Sequence, residues 1–377
     1  MRFELRAPGE IHFGPGEARR APEAAARFGR RFFLVTGAAS LDRTGFPGLF
    51  EGKGVVRWRV SGEPEAADVD EGARLCRESG AEVVVAAGGG SALDTGKAAA
   101  AMATNEGRVA EYLEDVGTRT LRNPPLPVVA VPTTAGSGSE ATRNAVIRVP
   151  ERAVKRSLRH ELLLPRVAIV DPELSGGAPP AVAASAGLDA LTHLVEAYTS
   201  NGAQPSTDAL ALPGIRRAAD ALRALAEGRA DAATRASMAL ASLWGGIALA
   251  NAGLGAVHGL VAPLGGRCRI AHGNACACLL AGTLAANLGA LRERAPGSPA
   301  IGRYAEVARA LGEETPEAAI ARLEALRRAL GVPGLSDFGF TRDQVAAVVR
   351  DARGSSMRFN PVVLTDAELS GILERSL

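Results

Sequence analysis

Five short apolar runs constrain this chain more than any other feature. The run at residues 32–36 is followed by Gly37, that at 55–60 by Ser61-Gly62-Glu63-Pro64, and that at 83–87 by three glycines. Two more, at 128–131 and 167–170, end at Pro132 and at Asp171-Pro172. Each is bounded by turn residues, and helical periodicity fits the stretches between them, such as 71–79 and 92–103. Strand–helix alternation with continuously apolar strands predicts a parallel sheet covered on both faces. Ligands of such sheets gather at the carboxyl ends of the strands, which directs attention to Gly37, 88–91 and 133–139. An amino-terminal hairpin is also predicted, with strands at 3–6 and 10–13 joined across Ala7-Pro8-Gly9.

Gly88-Gly89-Gly90-Ser91 follows a strand and opens a helix. Bare backbone at a helix amino terminus lets a phosphate approach N–H donors that the helix dipole favours. A tight strand–helix turn is the plainer alternative. The loop is neither a Walker A motif, since Ser91 and Ala98 stand at required positions, nor GxGxxG, since Leu93 follows Gly90 by three. After the next strand comes Thr133-Thr134-Ala135-Gly136-Ser137-Gly138-Ser139-Glu140-Ala141-Thr142, rich in hydroxyls and suited to a phosphate-sugar ligand. Two such loops favour a dinucleotide over a mononucleotide.

Beyond about residue 177 the strand runs stop and helical segments take over, at 210–225, 232–250 and 318–330 among others. Pro179-Pro180 marks a helix start, and on that helix Asp189 and His193, four apart, share a face. Of five histidines, three (His193, His258 and His272) fall in this half. Taken singly, each reads equally as a hydrogen-bonded core residue. With Asp189 they make a donor set suited to a divalent first-row metal, zinc or Fe(II).

Net charge is only +2 and aromatics are 4%, which argues against nucleic-acid binding and against an anionic membrane surface. Residues 244–264 are apolar enough to suggest a membrane span, but Asn251, His258 and several glycines favour a buried helix pair. Cys76, Cys268, Cys276 and Cys278 form no CxxC pair and read as small buried residues of a cytoplasmic protein. No apolar stretch of signal-peptide length opens the chain.

Six motifs in order then resemble the iron-dependent (group III) alcohol dehydrogenase family. They are Gly88-Gly89-Gly90-Ser91-x-x-Asp94-x-x-Lys97; Pro132 through Glu140; Asp171-Pro172-Glu173-Leu174; and Gly187-x-Asp189-Ala190-Leu191-x-His193. The fifth runs from His258-Gly259 through Pro263-Leu264-Gly265-Gly266 to His272-Gly273. The last is Asn360-Pro361 with Leu364-Thr365-Asp366-Ala367-Glu368-Leu369, where Thr365 and Glu368 make a capping box. The resemblance implies an α/β dinucleotide-binding domain with a Rossmann-like parallel sheet at 1–176 and an all-helical metal-binding domain at 177–377. This is the fold shared with dehydroquinate synthase.

By that resemblance, Asp189, His193, His258 and His272 bind the catalytic metal. Gly37, Gly89, Gly90, Ser91, Asp94, Thr133, Thr134, Ser137, Thr142, Asn144, Lys155 and Leu174 line NADH or NADPH. Four protein ligands leave positions open on an Fe(II)-sized ion but would close tetrahedral zinc, although zinc binds more tightly and can occupy isolated protein. The implied function is hydride transfer between NAD(P)(H) and a small alcohol or aldehyde, by a homodimer paired through its amino-terminal strands. Maleylacetate reductase is the alternative within enzymes, and an inactive dinucleotide-binding sensor or scaffold the alternative outside them.

Three departures from the family pattern matter. A second histidine four after His258, thought to relay protons, is Ala262 here, which leaves that role to water or a cofactor hydroxyl. Many NAD-preferring members carry an acidic residue where this chain has Gly37, so NADP becomes acceptable. Ala271 replaces a proline, with Arg267 and Arg269 nearby. These are either solvated surface arginines or a device selecting an anionic aldehyde.

Overall fold

The computed structural model describes residues 2–37, 41–152, 154–354 and 356–377. The chain divides into two units, one spanning Ala7–Ala178 and the other Pro179–Leu377 together with residues 2–6.

In the first unit, β1 (Glu10–Phe13) is followed by helix α1 (Ala21–Ala26), β2 (Phe32–Thr36), β3 (Val55–Arg59) and α2 (Ala66–Glu78). Then come β4 (Val83–Gly88), α3 (Gly90–Thr104), β5 (Val128–Pro132), β6 (Asn144–Val149), β7 (Val154–Arg159) and β8 (Val167–Val170). Six strands form one parallel sheet in the order β1-β8-β5-β4-β2-β3. Alternate residues of one strand serve opposite faces. Phe32, Leu34, Val83 and Val85 join one apolar cluster while Phe33, Val35, Val84 and Ala86 join another. Cover on both faces is why these runs are continuously apolar.

The predicted hairpin is not formed. β1 pairs in parallel with β8, Glu10 opposite Val167, and residues 3–6 form no strand. Asn251 takes a strand's place for Arg6: its Oδ1 accepts from the Arg6 N–H and its Nδ2 donates to the Arg6 carbonyl, both at 2.7 Å. Residues 2–6, expected with the α/β domain, therefore belong to the helical unit. A hairpin does form where none was predicted: β6 and β7 pair antiparallel, Asn144 opposite Arg159.

The second unit contains α4 (Pro180–Thr199), α5 (Pro205–Ala226), α6 (Ala232–Ala252), α7 (Ala256–Leu264), α8 (His272–Arg294), α9 (Pro299–Ala310), α10 (Pro316–Ala329), α11 (Val345–Asp351) and α12 (Asp366–Arg375). One apolar cluster joins α4 through α12. The apolar segment at 244–264 is the predicted helix pair: α6 and α7 are bent by 98°, and Gly253 between them has φ +72°, a conformation that a side chain would strain. Helix α8 is long and apolar enough to cross a membrane, but 72% of its apolar window is buried inside the protein.

Candidate metal centre and dinucleotide loops

Helix α4 is buried continuously from Gly187 to Thr199, so its polar residues on that stretch need partners inside the protein. Asp189 and His193 lie one turn apart on it. Helix α7 brings His258 to them and the first turn of α8 brings His272. The Nε2 atoms of His193, His258 and His272 lie 3.5, 3.6 and 3.6 Å from the same oxygen, Asp189 Oδ1. One donor atom from each of the four side chains falls within 4.8 Å of the others. The His193 and His258 rings stack at 4.7 Å, and His272 is the half-exposed member, its side chain 37% accessible. Bonds of about 2.0–2.2 Å place neighbouring ligands roughly 3–3.5 Å apart, so these edges fit one first-row divalent ion.

Burial raises the Asp189 carboxyl, but the three surrounding imidazoles outweigh it and hold the group well below the ordinary carboxylate range. His258 feels the same contest. Burial pushes it down, while Cys276, Asp189 and Glu196 together lift it well above the usual imidazole range.

Three residues at this centre were given no role from sequence: Glu196, Asn360 and Cys276. Glu196 Oε2 lies 2.6 Å from His258 Nδ1, and Oε1 accepts from the Val257 N–H at 2.7 Å. One carboxylate thus caps α7 and turns the ring so that Nε2 faces Asp189, the outer-layer arrangement of carboxylate, histidine and metal. Asn360, from the closing motif, supports the same turn by accepting from the Ala256 N–H at 3.0 Å. Cys276, read only as a buried thiol, is buried and free, yet its Sγ lies 3.4 Å from Asp189 Oδ1 and 3.7 Å from His258 Nε2. Burial pushes that thiol up to about 12, so it stays protonated and donates to Asp189. Two of the signals lay in the spacing: Glu196 is seven after Asp189, and Cys276 four after His272.

In the α/β unit the two predicted loops interlock. Gly89 caps α3 without a side-chain bond, leaving backbone donors at the helix start. A Cβ added at Gly90 would lie 2.7 Å from Ser137 Oγ, so only glycine admits this approach of the loops. Thr133 N–H donates to the Gly88 carbonyl at 2.9 Å. Asn144 Oδ1 is buried and has no hydrogen-bond partner among the described residues, an acceptor awaiting a donor.

A profile described as iron-containing alcohol dehydrogenase matches residues 8–172, and its carboxyl-terminal counterpart, Fe-containing alcohol dehydrogenase family, C-terminal, matches residues 183–377. The chain belongs to the iron-containing alcohol dehydrogenase family. It is 35% identical to long-chain-alcohol dehydrogenase 1 of Geobacillus thermodenitrificans over 96% of this chain and 94% of that one. It is also 35% identical to the NAD-dependent methanol dehydrogenase of Bacillus methanolicus, over 84% and 83%. Among solved structures, sulfoacetaldehyde reductase from Bifidobacterium kashiwanohense in complex with NAD+ superposes with a TM-score of 0.86 at 29% identity, covering 100% of this chain and 99% of that one.

Within this iron-containing alcohol dehydrogenase fold, several residues carried over as cofactor contacts are engaged by the protein itself. Asp94 accepts from Ser139 Oγ at 2.5 Å and from the Val146 N–H at 2.9 Å. Thr142 Oγ1 accepts at 3.0 Å from Lys97 Nζ, whose side chain is fully buried. Lys155 Nζ pairs with Glu63 at 2.8 Å, and Leu174 packs on the sheet's apolar cluster. These side chains shape the loops. Ser91, Thr133, Thr134 and Ser137 are partly exposed at the strand ends, with Gly37, Gly89 and Gly90 beside them. Arg267 is committed to Asp351 and to the Pro263 carbonyl, whereas Arg269 is exposed.

Proposed function

We propose that this iron-containing alcohol dehydrogenase transfers a hydride between NAD(P)(H) and a small alcohol or aldehyde. Asp189, His193, His258 and His272 hold Fe(II), with zinc able to replace it in isolated protein. The observation that carries this reading is the convergence of three imidazole nitrogens on a single carboxylate oxygen. A divalent ion there supplies Lewis acidity toward the alcohol or carbonyl oxygen. Asp189 contributes the cluster's one negative charge, Glu196 aims His258, and the interlocked glycine loops present backbone donors to the dinucleotide phosphates. With Ala262 where a relaying histidine could stand, this chain supplies no imidazole four residues after His258 for the alcohol proton.

Arg269 is the basic residue left available to favour an anionic aldehyde, a class that includes the substrate named for the sulfoacetaldehyde reductase. Equal relative rates of an Arg269→Ala variant on neutral and anionic aldehydes remove that refinement. The partner is a second copy of this chain: β1 is an edge strand carrying exposed Ile11 and Phe13. Four free cysteines suit the cytoplasm. Metal analysis, followed by an aldehyde panel including maleylacetate with NADH and NADPH in parallel, tests the whole reading. Tight nucleotide binding without hydride transfer to any aldehyde, with iron loaded, would sink it.

A further inference from the structure

The sheet's connections reverse direction between β2 and β4: the chain leaves β2 for β3 at one edge, and leaves β4 for β5 on the other side. Ligands of open α/β sheets bind across such a reversal. Here the two strand ends touch with bare backbone. The Gly37 N–H donates to the Ala87 carbonyl at 3.3 Å, and a Cβ on Gly88 would sit 3.1 Å from the Gly37 nitrogen. A dinucleotide laid across this point has one half over β4 and β5, where the glycine and hydroxyl loops lie. Its other half reaches the ends of β2 and β3.

Those ends carry a different chemistry. Arg57 and Arg59 stand two apart on edge strand β3 and so share a face. Arg59 is in register with Thr36, and Arg57 Nε donates to Thr36 Oγ1 at 3.3 Å, which brings both guanidinium groups to the end of β2. They grip the two oxygens of one carboxylate: Arg57 Nη2 bonds Asp42 Oδ1, and Arg59 Nη2 bonds Asp42 Oδ2 at 2.6 Å. The Arg57 guanidinium holds the Asp42 carboxyl below its usual range. Two cations around one anion leave a surplus positive charge, and the side chains are accessible, at 26% and 55%. At the end of β2 stands Gly37, which offers no carboxylate to a ribose.

We infer that Arg57 and Arg59, bracketed by Asp42, form a seat for the 2′-phosphate of NADP(H), so that this chain prefers NADPH to NADH. The inference rests on the dinucleotide reading above and adds the choice between the two cofactors. A phosphate monoester carries about −1.5 to −2 charge at neutral pH and matches paired guanidinium groups in both charge and fork geometry. Asp42 accepts from one arginine on each oxygen and so orients both guanidinium groups.

Calorimetric titration of the full chain with NADPH and with NADH tests this. The wild-type protein binds NADPH at least about tenfold more tightly, and Arg59→Ala weakens NADPH about tenfold to a hundredfold while leaving NADH within about twofold. Arg57→Lys keeps charge but loses the fork, and lowers NADPH affinity selectively even where Arg57→Ala fails to fold. Equal or tighter binding of NADH, or equal weakening of both nucleotides by Arg59→Ala, overturns the seat alone. So does a selective loss of NADH affinity in Asp42→Ala. If neither nucleotide binds, the seat falls together with the dinucleotide reading of the glycine loops.

Discussion

Two buried carboxyl groups, one in each unit, show how differently the two halves of this protein treat charge. Asp189 lies among three imidazoles and is held well below the ordinary carboxylate range although it is buried. Glu140, in the hydroxyl loop of the α/β unit, is as deeply buried, and burial pushes it up to about 7, only partly opposed by its own backbone N–H and by Lys97. Burial alone therefore does not decide ionisation; the partners do. The helical unit builds its centre from charged side chains that converge. The α/β unit builds its loops from backbone and hydroxyls tied by Asp94, and leaves Glu140 buried with burial the larger influence on it.

The sharpest way to break this contrast is Asp189→Asn, which removes the only anionic donor while keeping the shape. Activity falls by about a thousandfold and metal content drops toward zero with unchanged circular dichroism. A variant retaining its metal and activity within tenfold would move the centre elsewhere. Glu140→Gln probes the opposite case. A carboxyl raised from 4.5 to about 7 binds its proton more tightly folded than unfolded, so stability is lost as pH rises between those values and is level above them. Urea unfolding is therefore expected to show the variant no more stable than wild type at pH 4, and more stable by up to roughly 3 kcal/mol at pH 8.

Smaller effects sharpen the comparison. Glu196→Gln leaves the four inner donors in place but weakens the hold on His258. Chelator competition then shows metal affinity reduced about tenfold to a hundredfold. Gly90→Ala acts in the other unit: its new methyl meets Ser137, and overpacking of that contact weakens nucleotide binding about tenfold. Metal content stays the same. A Gly90→Ala protein that loses its metal would show that the two sites are not built independently.

What could be read from sequence follows from what each element is made of. The strands at 32–36 and 167–170 were legible to the residue because burial on both faces demands unbroken apolar runs. The β6–β7 hairpin was not, since Lys155, Arg156 and Arg159 interrupt it and only Leu158 of β7 is buried. Its support is tertiary, through the Lys97 ammonium on the Asn144 carbonyl and Asp94 on the Val146 N–H. In place of the hairpin predicted at 3–13, β1 pairs with β8 while the side-chain amides of Asn251 and Gln204 meet the backbone at Arg6 and Glu4, and no local pattern announces either. The four-donor cluster was legible from residue chemistry and motif order. The outer layer was marked only by spacing and motif, because which groups Glu196, Cys276 and Asn360 meet is decided once helices are packed.

The double duty of Glu196 has one further consequence. Because the same carboxylate terminates a helix and steers an imidazole, the aim of His258 is tied to the packing of α7 on α4. An ion that binds this donor set more tightly then adds more resistance to heat by mass action, so zinc is expected to protect more than iron at equal free concentration.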